Sequence, residues 1–130
     1  MSNEERCVDL PMAQVALLPN DLVEVRIRPD VRIDVPGLLA SMQARRDLLQ
    51  GRKGPVCFIA LGDLDWEPAA LQTDFFGQDA ESLTAVAVLV NSKTLSLVAN
   101  LYFGLFPGGF PAQVFNDEGA MRAWLAGTAT

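Results

Sequence analysis

The segment Thr84-Ala85-Val86-Ala87-Val88-Leu89-Val90 presents apolar side chains to both faces that a strand offers. Such a strand is stable only inside a sheet that is covered on both sides. The chain therefore needs helices on two faces, which means a layered α/β architecture. Val56-Cys57-Phe58-Ile59-Ala60-Leu61 is a second apolar strand. With 130 residues there is room for one such domain and not two. Half the residues are apolar and a fifth are charged, which excludes a disordered chain, a collagen-like chain and a coiled coil.

The remaining elements follow from local signals. Residues 1–11 read as an N-terminal tail ending at Pro11, and 12–130 as a single domain. Met12 to Leu18 reads as a strand and Pro19-Asn20-Asp21 as a turn. In Leu22 to Arg28, Val23, Val25 and Ile27 alternate with Glu24, Arg26 and Arg28, which predicts a half-buried partner strand in an N-terminal hairpin. Asp34 is placed to cap a first helix that has Pro36 in its first turn and stops at Gly51. In it, Arg45 and Arg46 are expected toward the polar side. Asp65, followed by Glu67 and Pro68, predicts a second helix to about Phe76, with a short helical turn at 79–83. Ser92 caps a third helix from Lys93 to about Phe106. After a loop and a short strand at Gln113–Phe115, Asn116 or Asp117 caps a last helix through Ala126. The order β-β-α-β-α-β-α-β-α implies a mixed, mostly parallel sheet of about five strands with right-handed crossovers.

Several function classes are excluded or disfavoured. Ten Lys and Arg against sixteen Asp and Glu give a net charge of −6, which disfavours nucleic acid and anionic membranes as partners. The basic run Arg45, Arg46, Arg52 and Lys53 lies near a helix end, where cations complement the helix dipole. No histidine is present, which removes imidazole catalysis and histidine metal sites, and there is no P-loop or dinucleotide fingerprint. The chain is expected to be non-enzymatic and without a cofactor. Cys57 reads as a small buried hydrophobe and Cys7 as a free thiol in the tail. That usage suits a reducing compartment. The N-terminal Met1 to Arg6 is acidic where a secretory signal is basic, so a cytoplasmic location is expected. The most apolar stretch, 94–106, is far shorter than the roughly 20 residues that span a bilayer.

Two places carry candidate chemistry. The first is polar. In open α/β sheets, ligands sit beyond the C-terminal ends of the strands. Asp63 and Asp65 lie there, as do Ser92, Lys93 and Asp117. Carboxylates facing one lysine can hold Mg²⁺ or a small polar ligand, but the same residue types are what helix N-caps require. The second is the third helix, where Leu97, Val98, Leu101, Tyr102, Phe103, Leu105 and Phe106 leave little polar face and Phe110 adds to it. A helix apolar nearly all round must be covered on more than one side, and a sheet covers only one. The neighbouring helix with the Phe110 loop, a second copy of the chain, or an apolar or lipid-like ligand with Tyr102 as its polar handle can each supply the rest. Trp66, at a strand exit, is either core or a surface anchor for a partner.

The hairpin, the exit Leu61-Gly62-Asp63, the strand Thr84–Val90 running into Asn91-Ser92, and Val114-Phe115-Asn116-Asp117-Glu118 leading to Ala123-Trp124-Leu125 form a recognisable pattern. It resembles small bacterial STAS-like proteins with the anti-sigma-factor-antagonist (SpoIIAA-like) fold, mostly of unassigned function. The resemblance covers most of 12–126. In the antagonists a phosphorylatable serine opens the helix after the central strand. The matching Asp63-Leu64-Asp65-Trp66-Glu67 holds no Ser or Thr. What the resemblance implies is therefore the architecture and the habit of acting through protein contacts, not the kinase-operated switch. The expected function is a bacterial regulatory or protein-interaction module. It is expected to be a homodimer packing through helix 93–106, or to contact another regulatory protein. The alternative is a binding protein for a small apolar or lipid-like ligand beside the same helix.

Overall fold

The doubly apolar strand, observed over Leu83–Val90 (β5), lies inside a six-stranded sheet with a paired neighbour on each side. The computed structural model describes residues 6–128. The strands are β1 (Cys7–Asp9), β2 (Ala13–Leu17), β3 (Val23–Ile27), β4 (Gly54–Ala60), β5 and β6 (Ala112–Phe115), and their order in the sheet follows the chain. β1, β2 and β3 pair antiparallel, while β3, β4, β5 and β6 pair parallel. Helices α1 (Val35–Leu49), α2 (Lys93–Leu105) and α3 (Glu118–Thr128) complete the fold. The tail expected at 1–11 is thus corrected for 7–9, which add an edge strand; residues 1–5 lie outside the described residues. The strand is short because only Cys7, Val8 and Asp9 pair with the hairpin.

The alternation of side chains sorts the core into two layers. Val56, Phe58 and Ala60 of β4, with Val86 and Val90 of β5, join Val15, Val23 and Val25 on the side of α1 and α2. Cys57, Ile59, Ala87 and Leu89 point the other way, against Met121 and Leu125 of α3. Both faces of β4 and β5 are covered, as their sequences demand. Arg122 of α3 also reaches Glu24 of β3 at 3.4 Å.

The helix starts follow their caps. The Asp34 carboxylate accepts from the Gly37 amide at 2.8 Å, Ser92 Oγ from Leu95 at 3.3 Å, and Asp117 from Ala120 at 2.7 Å. α1 ends on Gln50 in the left-handed region (φ 50°), with Gly51 behind it (φ 88°). At Gly37 a side chain would run into Met12, so glycine lets the first turn of α1 settle on the hairpin.

The second helix is a correction. Residues 65–76 form no α-helix; the segment holds only a 3-10 turn at Pro68–Gln72. Backbone bonds from Ile33 N to Asp65 O (2.9 Å) and from Glu67 N to Ile33 O (2.8 Å) hold 65–67 extended beside Ile33. The Glu67 carboxylate accepts from Val35 N at 3.0 Å, so it serves the start of α1 and not a helix of its own. The basic run is corrected at Arg45, while Arg52 and Lys53 are exposed. Arg45 is fully buried, not solvated. Its guanidinium donates to Ser82 O (2.9 Å), Gly54 O (3.2 Å) and Ser82 Oγ (3.1 Å), clamping the entrances of β4 and β5. Asp79 lies 3.8 Å from Arg45 and 2.8 Å from Arg46. Burial lowers the Arg45 pKa while Asp79 opposes that shift.

Candidate functional site

Helix α2 divides its apolar residues between two sides. Leu97, Leu101 and Leu105 recur every fourth residue and are 72%, 52% and 55% exposed, forming one outward row. Leu95 and Tyr102 are buried on the inner side, with Val98, Ala99 and Phe103 half-buried beside them. The helix carries no charge after Lys93. Among the described residues no helix is long and apolar enough to cross a membrane.

Beneath the inner side lies a cavity of about 130 Å³. Its floor is the sheet, at Phe58 and Ala60 of β4 and Val88 and Val90 of β5. Its roof is α2, at Leu95, Val98, Ala99, Tyr102 and Phe103. Its side wall is the irregular segment after β4, through Trp66, Ala70, Leu71, Phe75 and Phe76, and Ile27, Ile33 and Leu38 close it toward α1. Val88 sits in an interior strand yet is only half-buried, and it lines this space.

The void follows from the missing helix. A regular helix over 65–76 would pack along the sheet beside α2 and fill this space. The extended and 3-10 backbone instead leaves the sheet and bridges to α2 by aromatic contacts. Phe76 is the hub, with ring centroids 5.8 Å from Phe58, 6.1 Å from Tyr102, 6.1 Å from Phe103 and 6.0 Å from Phe110. Phe106 lies on the far side of Tyr102, at 5.0 Å. Edge-to-face and offset pairs at these distances add to burial in holding the rings. Phe106 and Phe110, half-buried, therefore cover the end of α2 internally and are not part of its exposed row.

The Tyr102 hydroxyl is engaged within the chain: it donates to Thr73 O at 2.8 Å and accepts from Phe75 N at 2.9 Å. It replaces the hydrogen bonds that a helical segment would have made for itself. Burial pushes its pKa up to about 12, against the opposing backbone bond. Every other lining residue is apolar or aromatic, and none is charged.

The polar residues at the strand exits are not gathered into one site. Ser92 and Asp117 are spent as caps of different helices. Asp65 pairs with Arg32 at 3.3 Å, and Asp63 and Lys93 are exposed. Among the described residues no group of three carboxylate or thiol side chains could hold a metal ion. Sequence reasoning missed the cavity wall of Leu71, Phe75 and Phe76 and left Trp66 between two readings. The signal was an aromatic set that does not recur at helical spacing, interrupted by Pro68.

The sequence profile of the domain of unknown function DUF7793 matches residues 16–129. No curated protein matches the chain. Among solved structures, the chain is similar to an uncharacterized protein of the DUF3478 family with a SpoIIAA-like fold from Shewanella loihica PV-4. The TM-score is 0.60 at 12% identity, covering 87% of this chain and 91% of that one. The fold is therefore SpoIIAA-like, with six strands where about five were expected.

Proposed function

The chain belongs to the DUF7793 family, and we propose that it is a non-enzymatic protein-interaction module that pairs with a second copy of itself through the outer side of α2. The observation that carries this reading is the row Leu97, Leu101 and Leu105, exposed on a helix without charge beyond its first residue. The chain as a whole carries −6, so most surfaces of two copies repel. The α2 row is a face where two copies meet without opposing carboxylates, and a two-fold axis would set each row against its twin. Gly104, next to Leu105, has open space where a side chain would stand, so helix backbones can approach closely. Burying the exposed parts of three leucines is worth about 3–5 kcal/mol per copy. Set against association costs of about 4–15 kcal/mol, this supports a weak, reversible dimer.

The non-catalytic reading is supported by the absence of histidine from the sequence and by the use of Ser92 and Asp117 as caps. Sedimentation equilibrium across micromolar concentrations is the test. The native chain is expected to dimerise and Leu101→Glu to remain monomeric with an unchanged far-UV spectrum. A native chain that stays monomeric at about 100 µM, where even a weak pair forms, would remove the proposal.

A further inference from the structure

We infer that the cavity under α2 is a binding site for a small uncharged apolar molecule, of about the bulk of one aromatic ring or a short branched chain. This goes beyond the pairing of two copies, because it concerns the opposite side of the helix. Four observations support it. First, the volume, about 130 Å³, is close to that of an engineered apolar cavity, about 150 Å³, that admits benzene, though this one is partly open to solvent. Second, natural interiors leave few voids larger than a water molecule, and this one is bordered by Ala60, Ala70 and Ala99 from three different elements. A larger side chain at any of the three would narrow it. Third, the space is partly open to solvent and not sealed, and Val88 on its floor is only half-buried, so a guest has a way in. Fourth, the lining offers no charge, and the Tyr102 hydroxyl is already engaged twice.

The lining also selects. A fatty acid would bring a carboxylate to a site with no cation in its wall, and its chain would outgrow the space. A polar guest would lose hydrogen bonds to water with nothing to replace them. Neutral, compact molecules are what remain.

The test is a titration of the full chain with toluene and with indole, followed by amide and methyl NMR and by thermal melting. Saturable shifts confined to Val88, Leu95, Ala99 and their neighbours, with a rising melting temperature, are expected. Ala99→Leu should weaken binding by about tenfold or more, because the added carbons take the space of the guest. Ala70→Leu is a second filling variant, should the first disturb α2. Leu101→Glu, on the outer row, should bind as the native chain does, so loss of pairing and loss of binding are told apart. No saturable shift at millimolar probe, shifts scattered over the surface, or undiminished binding in both folded filling variants would each overturn the inference.

Discussion

Replacing Tyr102 by Phe removes one oxygen and leaves the ring. The ring keeps its stack on Phe75, with centroids 5.8 Å apart, and its contact with Phe106 at 5.0 Å. What disappears is the pair of bonds to Thr73 O and Phe75 N, at 2.8 and 2.9 Å. The two losses are unequal. Thr73 is half-buried and its carbonyl can turn to water, while Phe75 is 6% exposed and its amide has no other partner to find. A buried donor left unpaired costs about 1–3 kcal/mol, and a hydrogen bond whose groups regain water costs about 0.5–1.5 kcal/mol. No cavity term is added, because no carbon is removed. The expected loss is about 2 kcal/mol. With a urea slope of about 1–3 kcal/mol per molar, the unfolding midpoint should fall by about 1 M with its slope unchanged. The Phe75 amide should also lose protection from hydrogen exchange before the strands do. A loss below about 0.5 kcal/mol, within the usual range for neutral surface changes, would refute the reasoning. It would mean that water already serves the segment and that Tyr102 does not pin it.

Arg45→Met should cost about 3 kcal/mol, because the carbonyls of Gly54 and Ser82 lose a shared buried donor. In a chain of this length that is a fall of about 10 °C in melting temperature, read by calorimetry, and Arg45→Lys should rescue little of it because one ammonium cannot span the same acceptors. Burial pushes the Cys57 thiol from an ordinary value near 9 up to about 12. Between those values the unfolded chain loses a proton that the folded chain keeps, so stability falls as pH rises from about 9 toward 12. Tyr102, raised to about 12, pulls the same way above pH 10. Urea midpoints across that range should decline. At pH 8 a thiol reagent should leave Cys57 unmodified in the folded chain and label it in denaturant.

The parts of the fold legible in the sequence are those set by short-range rules. The two-faced strand, the Asp34 and Ser92 caps and the alternation of Val23 to Arg28 each depend on neighbours within a few residues. Segment 65–76 shows where that reasoning stops. Asp65, Glu67 and Pro68 are good helix-start residues, yet the Ile33 backbone claims 65–67 and the Val35 amide claims the Glu67 carboxylate. Both partners lie more than thirty residues away in sequence. Arg45 is the same case. Its local setting is a polar helix end, and Asp79 and Ser82, also more than thirty residues on, draw it inside. For α2 the composition announced an apolar helix but not its division into an inner and an outer side. For the cavity the sequence offered only the aromatic set off helical spacing around Pro68, since a void is what remains after every neighbour has been placed.

One wall of the cavity is a connection and not an element of regular structure, and this bears on how the protein can vary. Each doubling of a flexible loop costs only about 0.6 kcal/mol in closure entropy. The exposed positions of the wall, Pro68, Ala69 and Gln72, can therefore accept changes of length at little expense, while Phe75, Phe76 and the bonds to Tyr102 hold the rest and the sheet beneath is fixed by its pairing. Downstream, the Arg45–Asp79 clamp anchors the chain before it enters β5, so changes in the wall stop there. A lineage can thus remodel the chamber by insertion and deletion while inheriting the scaffold intact. Chains that differ from this one mainly between the equivalents of Trp66 and Gly77 would share this sheet and differ in the shape of the chamber.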